Sequence, residues 1–212
     1  IAIYSVIGRN APFGDDLRLF FATGLTPVLL FVYVSRFMSI SLLANKPMLS
    51  FPVVHVLDII LARAGLEFIG ILLAVLIITV ALVATGTDPF PIDPARALTG
   101  LAIVGVLAIG IGIIASVISA IYPVFSFCYA LVIIVLYILS GAPIYLHSFP
   151  EEAVRILSWN PLFHAVDWIR SAYYLGHPLQ VLDQTYLVGW AIGSLAIGLL
   201  LERLCRARVL ES

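Results

Sequence analysis

The sequence predicts an all-α membrane protein: a six-span helical bundle, its first span truncated, with two irregular helical segments between spans. Three observations carry this. Of 212 residues, 62% are apolar and only 11% charged, whereas soluble domains carry about 25% charged residues. Uncharged runs recur at lengths near the roughly 20 residues a helix needs to cross a hydrocarbon core of about 30 Å. Proline and small polar clusters separate those runs. The composition excludes a soluble globule and a disordered tail, and a net charge of −1 offers no basic patch for nucleic acid. Cys128 and Cys205 make no disulfide framework.

Taken in order, Ile1–Ile7 reads as the end of an earlier span (about 1–7). It lacks the basic n-region and small-residue cleavage site of a signal peptide. Leu19–Ser35 is uncharged and sets the second span over 19–43, and Phe68–Thr87 sets the third over 59–85. Ala97–Phe149 holds no Asp, Glu, Lys or Arg and is too long for one crossing. The Tyr122-Pro123 step divides it into spans over 98–120 and 125–145. Gln184–Leu201 gives the last span, 184–203. With six spans both true termini share a side. Placing the arginine-bearing tail in the cytoplasm puts Arg36, Lys46, Arg63, Arg203, Arg206 and Arg208 there, against Arg9, Arg18, Arg96, Arg155 and Arg170 outside.

Chemistry that moves ions leaves ionisable side chains at bilayer depth, and the central parts of the complete spans carry none. A phosphate-binding loop needs a lysine after a glycine-rich turn, but the only lysine, Lys46, follows Ala44-Asn45. Histidines 55, 147, 164 and 177 lack metal-ligand spacing, so no metal site is expected, and no nucleophile elbow is present. No cofactor is expected in this chain. Active transport would draw its energy from another subunit.

Two segments are not simple spans. Between the second and third, Pro47 and Pro52 flank a short segment that cannot continue the preceding helix. Asp58 then opens a helix with Arg63 and Glu67 four apart on one face. This reads as a surface helix that accepts force from an ATPase, or as a loop followed by a snorkelling arginine and its partner. His147–Asp183 holds two short helices rich in aromatics. Ser148 is the expected N-cap of the first, Trp159-Asn160-Pro161 breaks it, and the second covers about 161–175. The pair is either re-entrant on the outer side or interfacial. Small-residue stripes at Ala108, Gly112, Ser116 and Ala120, and at Gly189 and Gly193, are expected to pack within the chain. Tyr122, Phe125 and Tyr129 share one face, with Tyr137 further on; such rings either stack on sugars or simply anchor and pack.

The runs NKPMLSFPVVHVLDIILARAGLEF and SFPEEAVRILSWNPLFHAVDWIRSAYY resemble the membrane subunits of ABC-2-type transporters. GRNAPFG followed by TGLTPVLLF is most similar to the capsular polysaccharide export permeases among them. The similarity runs from about Ile7 to Arg208. It implies a non-catalytic, six-span subunit of the bacterial inner membrane, working as a homodimer with two separate ATPase subunits that bind ATP and Mg. An amphipathic helix and the first span would precede Ile1. The resemblance maps an ATPase-coupling helix onto 46–55, with Lys46, Pro47, Met48, Phe51 and His55, backed by Arg63 and Glu67. It maps outer gate helices onto 148–175, with Glu151, Arg155, Trp159, Asn160 and Pro161, then His164, Asp167 and Arg170. It also implies a channel at the dimer interface, where Tyr122, Phe125, Tyr129 and Tyr137 are the candidate sugar contacts. The expected cargo is a lipid-linked capsular polysaccharide carried to the periplasm, handed on to periplasmic and outer-membrane export proteins. The alternatives are an exporter of another amphiphile (O-antigen, teichoic acid or a small drug) and a membrane scaffold without transport.

Overall fold

The computed structural model describes residues 16–178 and 181–211; the expected end of a first span at 1–7 lies outside them. The described residues form seven α-helices and no strand. In chain order these are α1 (Leu17–Ala44), α2 (Val56–Ala84), α3 (Pro94–Ile121), α4 (Phe125–Ile138), α5 (Glu151–Leu157), α6 (Pro161–Tyr173) and α7 (Gln184–Glu211). Among them α1, α2, α3 and α7 are long and apolar enough to cross a membrane. Each has 28 or 29 residues, or about 42 Å at 1.5 Å per residue. Serine and threonine within α1 return their hydroxyls to their own helix: Thr23 Oγ1 donates to the Leu19 carbonyl at 2.9 Å and Ser35 Oγ to Phe31 at 2.7 Å. Asp16 caps the start of α1, accepting from the Arg18 amide at 2.7 Å and from the Thr87 hydroxyl.

α4 departs from expectation. The apolar run predicts a span over 125–145, but the helix stops at Ile138 after 14 residues, about 21 Å. The backbone explains the stop. Ser140 returns its hydroxyl to the Tyr137 carbonyl at 2.6 Å, Gly141 takes φ +80, and Pro143 disfavours helix at the residue before it.

The chain divides into two compact units. The first takes the described parts of Ile1–Leu29, Leu72–Ala102 and Leu136–Leu187; the second takes Leu30–Ile71, Ile103–Val135 and Val188–Ser212. The core of the first includes Phe20, Val28, Leu162, Phe163 and Val166, with a satellite cluster of Leu146, Val154 and Phe163. In the second, Met38, Leu42, Ile60, Leu107 and Ile113 are buried, and Ala115, Tyr129 and Ile133 cluster together.

Close helix packing in the second unit uses one expected stripe and not the other. Ala108 is buried, Ser116 Oγ lies 3.3 Å from Ser41 Oγ, and a Cβ on Gly112 would fall 2.6 Å from Met38 Sδ. Around Gly189 and Gly193, by contrast, a Cβ would meet nothing within 4 Å. The intimate contact of α7 is at Gly198, where a Cβ would stand 2.9 Å from the Gly110 carbonyl. Gly110 itself leaves no room, since its Cβ would sit 2.5 Å from the Leu195 amide. Backbone cannot retreat as a flexible side chain can. Gly110→Ala is therefore expected to destabilise by about 1–3 kcal/mol, and Gly189→Ala to change stability by no more than about 1 kcal/mol in either direction. Thermal unfolding of the two variants in detergent checks the ranking, and the reverse order would show that the wrong face of α7 has been assigned.

Candidate functional site

The segment after α1 begins with Asn45, whose Nδ2 donates to the Ser41 carbonyl at 2.9 Å and finishes the helix. A coupling α-helix over 46–55 does not form. Lys46–Ser50 is instead a single 3-10 turn with Pro47 in its first turn, followed by further turns as the Phe51 amide reaches the Met48 carbonyl and Val54 reaches Phe51. Two prolines within six residues deny the run the amide donors an α-helix requires. The tight turns satisfy the backbone locally and leave the side chains outside. None of Lys46–Ser50 is buried, and Met48, Phe51 and Val53 are 52%, 62% and 82% exposed. A hollow of about 240 Å³, bounded by Leu42, Lys46, Leu49, Ile121 and Val209, adjoins the turn, so the segment is not packed solid.

α2 then starts at Val56, two residues before the expected Asp58. The Asp58 carboxylate instead accepts from the His55 amide at 2.8 Å and lies 3.2 Å from His55 Nδ1. Arg63 pairs with Glu67 at 2.6 Å and lays its guanidinium over the Phe37 ring at 4.6 Å. Glu67 lies one turn on in α2 and Phe37 in α1, so Arg63 ties α2 to α1 within the chain while its side chain stays 36% exposed.

The two helices before α7 belong to the first unit. α5 runs over Glu151–Leu157 and is capped by Pro150 without a side-chain bond. The expected cap, Ser148, gives its hydroxyl to the Tyr145 carbonyl at 2.8 Å because it sits in a separate 3-10 turn, Leu146–Ser148. Glu151 and Arg155 are exposed, and Trp159 is 78% exposed beside Arg155 and Ile156 at an open hollow. α6 opens on Asn160, whose Oδ1 accepts from the Leu162 amide at 3.0 Å while its Nδ2 donates to the Leu136 carbonyl at 3.0 Å. Pro161 follows at the first helical position, where its missing N–H costs nothing.

An interfacial α6 would show one wet face. Ten of its 13 residues are buried, so its polar side chains must find partners inside the protein. His164, Asp167 and Arg170, spaced three apart, all do. His164 Nδ1 accepts from the Asp183 amide at 3.1 Å, which leaves Nε2 to donate to the Ser158 carbonyl at 2.7 Å. Arg170 Nη1 and Nη2 donate to the carbonyls of Gly141 and Ala142 at 2.9 and 3.3 Å, and its guanidinium stacks over Phe20 at 4.0 Å. This fork satisfies the backbone that α4 leaves open where it ends. Burial brings the Arg170 guanidinium down to about 10, still charged at neutral pH. Burial also pushes the Asp167 carboxyl up, but hydrogen bonds from His147 and then His177 outweigh that and hold it below the usual carboxylate range.

The sequence reading missed His147, His177 and Tyr145 here. The two histidines lie 20 and 10 positions from Asp167 and meet it only through tertiary packing, so no sequence spacing announces them. The aromatic face also divides. Tyr122 is exposed, Phe125 is half-buried and stacks on Tyr129 with centroids 6.1 Å apart, Tyr129 is a core residue, and Tyr137 is half-buried. Of these four rings only that of Tyr122 is exposed.

The family described as ABC-2 type transporter matches residues 18–174, a stretch that takes in the Lys46–Ser50 turn and both short helices. The Polysialic acid transport protein KpsM of Escherichia coli is 30% identical over all of this chain and 82% of its own length. The Capsule polysaccharide export inner-membrane protein CtrC of Neisseria meningitidis serogroup B is 28% identical over 70% of this chain and 56% of its own length. The protein of the same description, BexB, from Haemophilus influenzae is 28% identical over 77% of this chain and 62% of its own.

Proposed function

The chain belongs to the ABC-2 type transporter family, and from that membership we propose that it is the inner-membrane permease of an ABC exporter whose cargo is a capsular polysaccharide. The observation that carries this reading is the 30% identity spread over the whole chain to a protein named for polysialic acid transport. The chain makes and breaks no bond in the glycan. Two separate ATPase subunits bind ATP and Mg and dock on the cytoplasmic segment 46–55, where Met48, Phe51 and Val53 stand exposed. α2 begins directly after that segment and continues unbroken for 29 residues, so a push on the turn tilts the third span as one rod. Two copies of the chain enclose the channel between them, with Tyr122 as the first candidate for stacking on sugar C–H faces. The cargo is lipid-linked and passes to periplasmic and outer-membrane export proteins. α5 and α6 close the outer end. The burial of α6 supports a gate that moves as a packed body, with Glu151, Arg155 and Trp159 as its exposed elements.

Reconstitution in vesicles with the partner ATPase tests this. Addition of lipid-linked glycan is expected to raise ATP hydrolysis several-fold and to move glycan across the bilayer. Stimulation by small amphiphiles alone would transfer the chain to another branch of the family, and hydrolysis indifferent to every solute would leave a scaffold.

A further inference from the structure

Two histidines and a carboxylate converge from three separate stretches of the first unit. His147 stands in the turn Leu146–Ser148, Asp167 in the middle of α6, and His177 in the stretch after α6. His147 Nε2 lies 2.8 Å from Asp167 Oδ2, and His177 Nε2 lies 3.3 Å from Asp167 Oδ1. One ligand atom from each of the three falls within 4.8 Å of the others. We propose that His147, Asp167 and His177 form a binding site for a divalent transition metal of the zinc type.

The ligand set suits such an ion: two neutral imidazoles and one carboxylate leave the fourth tetrahedral position open. With zinc–ligand bonds of about 2.0–2.1 Å, the edges of a tetrahedron are about 3.3–3.4 Å. The observed nitrogen–oxygen separations of 2.8 and 3.3 Å run to the two different carboxylate oxygens, and the three ligand atoms lie within 4.8 Å of one another, so side-chain shifts on the order of 1 Å bring them onto one ion. Each imidazole can bind through Nε2 by carrying its proton on Nδ1. The surroundings hold the ligands in place. Tyr145 packs 5.3 Å from the His147 ring and 6.5 Å from that of His177, and Phe163 packs 5.7 Å from His147. His177 and Asp167 side chains are 0% and 3% exposed, whereas His147 is 11% exposed and marks the way in. Arg170, one turn from Asp167, commits Nη1 and Nη2 to backbone carbonyls, which leaves the carboxylate to the two imidazoles. Its positive charge favours an anionic fourth ligand, a hydroxide or a halide. A bound ion would tie the 146–148 turn, α6 and the 177 stretch into one body.

The test uses tag-free protein purified with a chelator and then titrated with Co²⁺, a spectroscopic stand-in for zinc. One Co²⁺ per chain is expected, with a visible ligand-field band that Zn²⁺ abolishes. Zn²⁺ is also expected to raise the Tm on the order of 5 °C. H147Q, D167N and H177Q should each weaken Co²⁺ binding at least 10-fold, while H55Q, at the exposed His55–Asp58 pair, leaves it unchanged. The wild-type titration decides even where a variant fails to fold. No band and no Tm shift in the wild type overturns the site, as does wild-type affinity in H147Q and H177Q. Neither readout involves transport, so the outcome is independent of the function proposed above.

Discussion

Replacing Arg170 with alanine is expected to destabilise the protein by about 3–5 kcal/mol, an effect on the order of 10 °C in Tm for a chain of this size. Arg170 is 1% exposed and serves three neighbours at once: the Gly141 and Ala142 carbonyls at 2.9 and 3.3 Å, and the Phe20 ring at 4.0 Å. Alanine would leave both carbonyls without these donors in a place water does not reach, each costing about 1–3 kcal/mol. It would also remove the cation that sits near the buried Asp167 carboxylate. Lysine restores the charge but not the fork, since one compact ammonium cannot lie flat on Phe20 and reach two carbonyls in parallel. Arg170→Lys should therefore recover less than half of the loss. Gly24→Ala probes the same contact from the other side, because its Cβ would fall 2.7 Å from Arg170 Nη2 and 3.0 Å from the Ala142 carbonyl. Thermal unfolding of the three variants in detergent gives the comparison. A Tm within about 2 °C of wild type for Arg170→Ala would mean that water satisfies those carbonyls and that α4 needs no internal support where it ends.

That support was not legible in the sequence, and the reason is physical. Hydropathy registers side chains, so it found α1, α2, α3 and α7 from their uncharged runs. It is blind to backbone dihedrals, so the apolar stretch beyond Ile138 read as a continuing helix. The signals were present as Gly141 and Pro143, a residue free to take positive φ and one that disfavours helix before it. For α6 the sequence left a re-entrant and an interfacial placement open, and only the partners supplied by Gly141, His147, His177 and Asp183 show that His164, Asp167 and Arg170 lie in the interior. Small-residue spacing likewise marks a face that can approach another helix without saying which one does, hence Gly189 open and Gly198 in contact. The Trp159-Asn160-Pro161 break, by contrast, was fully local: an N-cap side chain followed by proline at the first helical position fixes a helix start wherever the segment lies.

The second large effect is expected at the Lys46–Ser50 turn, the proposed ATPase contact, where stability and function separate. Met48, Phe51 and Val53 are exposed, and none of Lys46–Ser50 is buried, so a charge introduced there disturbs no packing and should alter folding stability by no more than about 0.5 kcal/mol. If the turn receives the ATPase, these side chains become the buried centre of that contact. A carboxylate placed among them would then be desolvated without a partner, a cost of several kcal/mol. Phe51→Glu, and more strongly the double variant with Met48→Glu, is thus expected to cut transport at least 10-fold and to reduce co-purification of the ATPase, with Tm unchanged. Glu67→Gln should behave differently. Glu67 is mostly buried and holds Arg63 at 2.6 Å, and Arg63 in turn lies over Phe37, so its loss should lower Tm before it lowers coupling. Measuring Tm, co-purification and glycan-stimulated hydrolysis on the same preparations resolves the two roles. Full transport by the double Glu variant would remove segment 46–55 from the path of force, whereas a Tm loss in Phe51→Glu equal to that in Glu67→Gln would mean that the turn is part of the fold rather than its docking surface.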